Sequence, residues 1–105
     1  MSQYMVYKNS NPNSKKAYPY LLDVQSNFLE SLETRIVIPL SLLSLFQNRE
    51  IAKLTPTFKI EGKDYLLLTP QMASINRKQL GSQVSDLSNK HHEILSSIDF
   101  LITGF

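Results

Sequence analysis

The sequence predicts a mainly β protein, a strongly twisted antiparallel sheet with one α-helix packed on it at the carboxy-terminal end. Three observations carry this prediction. From about residue 3 to residue 75, short apolar runs alternate with turn signals built from Asn, Ser, Pro and Gly, the pattern of strands joined by tight connections. Those runs favour β-branched and aromatic residues, which suit a pleated, half-buried surface. From residue 86 to residue 103 the apolar spacing lengthens to i, i+4, i+7 and i+8, which is one face of a helix.

The elements follow in order. Tyr4-Met5-Val6-Tyr7 opens as a first strand. Asn9 to Lys16 reads as an exposed loop, because Asn, Ser and Pro all favour turn geometry. Tyr18 to Val24 is a second strand, with Pro19 tolerated near its start. Gln25 to Glu33 carries a Ser26/Asn27 turn signal and displays the pair Phe28-Leu29. Thr34 to Leu40 is a third strand, its β-branched centre ended by Pro39, and Ser41 to Phe46 is expected to form a short helical turn. Thr57 to Ile60 and Tyr65 to Thr69 flank Glu61-Gly62-Lys63-Asp64, a tight hairpin whose glycine accepts positive φ. Met72 to Ile75 reads as another short strand, and Gly81-Ser82 as a break in the sheet pattern. In the helix, Leu87, His91, Ile94, Leu95, Ile98, Leu101, Ile102 and Phe105 share one face. Asp86 or Ser88 supplies the N-cap, and Gly104 suits the carboxy-terminal stop.

A chain of 105 residues is expected to form one domain, residues 1–105, burying about two-thirds of its unfolded surface. With 42% apolar and 19% charged residues the composition is globular rather than disordered. The absence of cysteine excludes a disulfide scaffold, a thiolate zinc site and a cysteine nucleophile. A formal charge of +2 gives no footprint for wrapping nucleic acid, so no direct nucleic-acid contact is expected. Met1 to Met5 lacks the features of a secretory leader, and no run approaches the roughly 20 apolar residues that span a bilayer. A cytoplasmic protein without a membrane partner is expected.

Catalytic constellations are sparse. His91 and His92 are adjacent, so a helix turns them about 100° apart and they cannot share a metal. Gly62, Gly81 and Gly104 are too dispersed to cradle a phosphate. Asp23, Glu30, Glu33, Asp64 and Glu93 read as solvated carboxylates. Tyr4, Tyr7, Tyr18 and Tyr20 read as packing residues more readily than as a base-stacking platform. Lys15-Lys16 and Arg77-Lys78 are only doublets. No catalytic residue, metal or cofactor is expected. The informative segment is Ile98 to Phe105, an apolar run with no polar tail. Chain ends are normally exposed, so such a run points to a self-interface or to a partner, as does Phe28-Leu29.

Several motifs, in order, carry a resemblance. Asp23-Val24-Gln25-Ser26, Arg35-Ile36-Val37-Ile38-Pro39-Leu40, Thr69 with Met72-Ala73-Ser74, Asp86-Leu87-Ser88, and Ile98 with Thr103-Gly104-Phe105 resemble the CcdB family. These are the toxins of bacterial toxin–antitoxin modules. The resemblance implies an SH3-like, CcdB–MazF-type barrel-like sheet with a small accessory sheet and a carboxy-terminal helix, assembled as a homodimer. It implies a poison of DNA gyrase that binds the A subunit and traps cleaved DNA, neutralised by a CcdA-like antitoxin. Gyrase contacts would map onto Thr103, Gly104 and Phe105 with Ile102 and Asp99. Antitoxin contacts would map onto Phe28, Leu29, Asp99 and Ile102. The family's plasmid prototype carries tryptophan where this chain has Thr103, and an aliphatic residue at Phe105.

Two other readings stay open on the sequence. One is a MazF-like endoribonuclease on the related fold, for which Arg35 with a neighbouring carboxylate or hydroxyl would be the only acid–base set. The other is a gyrase-binding relic that no longer traps the cleaved complex.

Overall fold

The architecture is decided by one long strand, Thr34–Leu42 (β3), whose two faces carry different residues. Ile36, Ile38 and Leu40 point one way, and Arg35, Val37, Pro39 and Ser41 the other. In the computed structural model, which describes residues 2–46 and 51–104, β3 is flanked on one edge by Tyr20–Asp23 (β2) and then Met5–Asn9 (β1). Its other edge is shared. The first half pairs with Ala73–Asn76 (β6), and the second half with Lys63–Leu67 (β5), itself paired with Thr57–Ile60 (β4). Leu80–Asp86 (β7) closes the far side against β1. All pairings are antiparallel, and the sheet curls into a half-barrel with the β4–β5 hairpin as its accessory wing.

Pro39 does not end β3; the strand runs on to Leu42. A proline inside a strand needs its missing N–H to face no ladder acceptor. Pro39 satisfies this at the changeover from β6 to β5, where its carbonyl accepts from Leu68 N at 2.9 Å. Gly81-Ser82 does not break the sheet either. Tyr7 pairs with Gln83 and Asn9 with Leu80, so β7 takes an extra residue there. That is a β-bulge. A Cβ on Gly81 would sit 3.1 Å from the Lys8 carbonyl oxygen, so the glycine permits the close approach. The hairpin turn is tighter than the sequence predicts: Glu61 and Gly62 both take positive φ, 50° and 83°, the two-residue form that matches strand twist.

The main core lies on the Ile38 face. Val6, Leu22, Ile38, Leu40, Phe58, Ile60, Tyr65 and Leu67 pack there with Leu87 and Ile94. The opposite face holds a smaller cluster of Tyr7, Leu21, Val37 and Leu80. The α-helix His91–Thr103 (α1) covers the main core, preceded by a 3-10 turn over Ser88–Lys90. The helix therefore begins later than residue 86. Neither Asp86 nor Ser88 is its N-cap: that position is Lys90, with no side-chain cap bond, and Asp86 Oδ1 instead accepts from Ser88 N at 2.8 Å, one turn earlier. That bond, and then the Ser88 hydroxyl, hold the Asp86 carboxyl below its ordinary range.

Candidate functional site

The orientation of α1 is set by a buried polar pin. Ser97, in the apolar stripe, is fully buried with Ile94. Its hydroxyl donates to the Ile94 carbonyl at 2.7 Å and accepts from Thr69 Oγ1 at 3.1 Å. Thr69 sits in the turn after β5 and is also sealed. Full burial of Ile94 contributes about 1.5–3 kcal/mol. The hydroxyl pair adds direction, because either group alone would be an unsatisfied donor or acceptor.

This docking buries only part of the apolar stripe. Ile94 is buried and Ile98 half-buried, whereas Leu95, Leu101 and Ile102 are exposed. Leu95, Asp99 and Ile102 follow at i, i+4 and i+7 and share one outward face. Ile102 is 71% exposed. Asp99 is the boundary residue: beside it, His92, Glu93 and Ser96 join Ala52, Lys53 and Pro56 around an open groove of about 400 Å³. Thr103 is exposed, but its hydroxyl donates to the Asp99 carbonyl at 2.7 Å, leaving its methyl free to face a visitor. Gly104 stops the helix at φ 80°, its N–H donating to the Phe100 carbonyl at 2.9 Å, the left-handed stop that glycine adopts without Cβ strain. It is exposed, and a Cβ added to it would have no described atom within 4 Å. Phe105 lies outside the described residues.

Phe28 and Leu29 sit on a separate element, a 3-10 turn over Asn27–Leu29 capped by the Ser26 hydroxyl, which accepts from Phe28 N at 3.2 Å. Phe28 is 97% exposed, and Leu29 and Leu32 beside it are also exposed. Ile36, adjacent on β3, is exposed as well. The loop is tied down through the Asn27 side chain and through its backbone carbonyls. Asn27 Oδ1 accepts from Gln3 N at 2.9 Å, Gln25 Nε2 donates to the Leu29 carbonyl at 3.0 Å, and Arg77 Nη1 donates to the Glu30 carbonyl at 3.3 Å.

Beneath this loop lies what sequence reasoning missed. Asp23 is not a solvated carboxylate. It is fully buried and accepts from Arg35 Nε at 2.8 Å, both side chains being 0% exposed. Its other oxygen accepts from Gln25 N at 3.0 Å. Arg35 Nη2 reaches the Gln25 carbonyl at 3.5 Å, while Nη1 finds no acceptor among the described residues. The signal was present as opposite charges at inward positions of neighbouring strands. Asp23 pairs with Val37 across the ladder, on the same face as Arg35.

Of the remaining candidates, His91 and the tyrosines are at least partly buried, whereas His92, Glu30, Glu33, Asp64 and Glu93 are exposed. His91 Nδ1 lies 2.8 Å from the Ser88 carbonyl and its ring stacks loosely on Tyr4 and His92. Tyr7 is buried and Tyr20 meets Tyr65 edge-on at 5.0 Å, so the tyrosines form no common platform. Burial pushes the Tyr20 phenol up to about 12, with Tyr65 and Glu61 adding to it. Among the described residues no three metal-ligating side chains cluster, and no helix is long and apolar enough to cross a membrane.

These features, a curled sheet with its accessory wing, a carboxy-terminal helix and two exposed apolar tips, coincide with a family match over residues 3–104, to the family described as CcdB protein. The match takes in nearly every element described above, and the chain belongs to the CcdB family, the toxins of toxin–antitoxin systems.

Proposed function

We propose that this toxin poisons DNA gyrase by binding alone. The tip formed by Thr103, Gly104 and Phe105, with Ile102 and Asp99 on the preceding turn, inserts against the A subunit and traps the complex in which DNA is cut and not resealed. A CcdA-like antitoxin neutralises it by covering Phe28, Leu29, Asp99 and Ile102. The protein works as a homodimer in the cytoplasm, where a two-fold pair of tips suits a two-fold target. The observation that carries this reading is the outward face of the last helical turns, with Ile102 71% exposed in a chain of this family. Asp99 and Ile102 belong to both contact sets, so antitoxin and gyrase compete for them.

Arg35, which a ribonuclease would need at its surface, is instead sealed against Asp23, which argues against general acid–base work on RNA. The test is a cleavage assay with purified gyrase and supercoiled DNA. Addition of this protein is expected to accumulate broken DNA after protein denaturation, while an RNA substrate incubated with it stays intact. Gyrase binding without broken DNA would instead identify the relic, and cut RNA the ribonuclease.

A further inference from the structure

Apolar burial holds the 26–33 loop only weakly: Phe28 is 97% exposed, and Leu29 and Leu32 remain 47% and 46% exposed. Its conformation depends on hydrogen bonds from three outside residues: Gln3 N donates to Asn27 Oδ1 at 2.9 Å, Arg77 N donates to the Glu33 carbonyl at 2.8 Å, and Gln25 reaches the stretch next to Phe28. Gln25 is buried and lies just past the last rung of the β2–β3 ladder, where Val24 N donates to the Ile36 carbonyl at 3.0 Å. The next rung is made by a side chain. Gln25 Oε1 accepts from Ile36 N at 3.0 Å, and Gln25 Nε2 donates to the Leu29 carbonyl at 3.0 Å. One carboxamide therefore links β3 to the carbonyl one residue beyond Phe28. The backbone of Gln25 is itself gripped by the buried ion pair, through Asp23 Oδ1 and Arg35 Nη2. From outside, Arg77 Nη1 reaches the Glu30 and Leu32 carbonyls at 3.3 and 3.4 Å.

We propose that Gln25, braced by Arg77, is a positioning residue that holds the 26–33 loop in the conformation presenting Phe28 to the antitoxin. Phe28 buries nothing in this fold, so fixing it does little for stability. What the clamp achieves is preorganisation, removing the loop-ordering cost that a partner would otherwise meet on binding. The proposal rests on the reading of Phe28 as an antitoxin contact, and its test separates the two.

The full-length protein and its Gln25→Ala, Arg77→Met, Phe28→Ala and Gln25→Ala/Phe28→Ala variants are compared in two measurements. The first needs no partner: the rate of chymotryptic cleavage at the Phe28–Leu29 bond, followed by mass spectrometry. Cleavage requires the loop to leave its clamp. Gln25→Ala is expected to raise the rate about tenfold or more, given one or two lost hydrogen bonds. Arg77→Met, half-exposed and harmless to the core, gives a smaller rise in the same direction. The second is affinity for a purified CcdA-type antitoxin. Gln25→Ala is expected to weaken binding about tenfold, and that loss vanishes when Phe28 is already alanine, because the two act through one contact. Cleavage at the parental rate in both clamp variants overturns the clamp, whatever the antitoxin does. An equal affinity loss with and without Phe28 assigns Gln25 to the general fold and overturns its positioning role. If Phe28→Ala alone leaves affinity intact, the reading of Phe28 fails and the positioning role fails with it, while faster cleavage still records the clamp.

Discussion

The two exposed apolar tips are built in opposite ways. The end of α1 is built mostly by local structure, repeated backbone bonds that carry the chain to Gly104, and is aimed by one long-range buried pin, Thr69 to Ser97. The Phe28 loop is placed by residues far apart in sequence, Gln3, Gln25 and Arg77, with the Asp23–Arg35 pair beneath them. Exposure at the helix end is therefore robust to changes elsewhere in the sheet. Exposure at the loop depends on the buried polar network, which ties the two sheet edges around β3 to a single outward ring.

The largest expected effect falls on that network. Asp23→Ala leaves the Arg35 charge buried without its partner, which costs about 3–5 kcal/mol. Thermal unfolding checks the magnitude, and antitoxin binding is expected to suffer beyond what the lost stability explains. Phe28→Ala comes next in size but moves only binding. A central aromatic contact is worth about 2 kcal/mol or more, whereas a ring 97% exposed leaves the melting temperature unchanged. An unfolding shift in this variant would mean that Phe28 is part of the core after all.

Ser97→Ala probes the other tip. It strands the Thr69 hydroxyl in the core at a cost of about 1–3 kcal/mol, and it is expected to weaken gyrase binding more than antitoxin contacts at the loop. Gly104→Ala is smaller still, about 1–2 kcal/mol of left-handed strain confined to the final turn. It meets no steric obstacle among the described residues. Its effect is expected in gyrase binding rather than in global unfolding.

On the β2 side of the core, against Tyr65 and Glu61, Tyr20 makes a pH-dependent contribution. Its phenol is raised from 10.0 to about 12, so folding favours the neutral form. The corresponding stability is full below pH 10 and is lost as pH climbs towards 12. Denaturant unfolding across that window is expected to fall less steeply for Tyr20→Phe than for the parent, and neither tip's binding at neutral pH should change.

Local periodicity made much of the fold legible. The β4–β5 hairpin, the strands around it and the carboxy-terminal helix all announce themselves through spacing and turn residues. Pro39 and Gly81 misled, because a proline or glycine reads as a terminator unless the neighbouring ladder is known. In the fold, one falls at a change of partner and the other at a bulge. The helix stripe also promised a wider buried face than the sheet covers, since periodicity records apolarity and says nothing of what it meets. Asp23 and Gln25 read as ordinary polar residues for the same reason. Their roles exist only once β2 and β3 are paired.

The central claim is that the carboxy-terminal tip performs the target binding, and removal of Thr103, Gly104 and Phe105 tests it most directly. With purified gyrase and supercoiled DNA, the shortened protein is expected to unfold close to the parent temperature, to retain antitoxin binding through Phe28 and Leu29, and to leave the DNA unbroken. Broken DNA at the parent's level, from a protein lacking those three residues, would contradict the account.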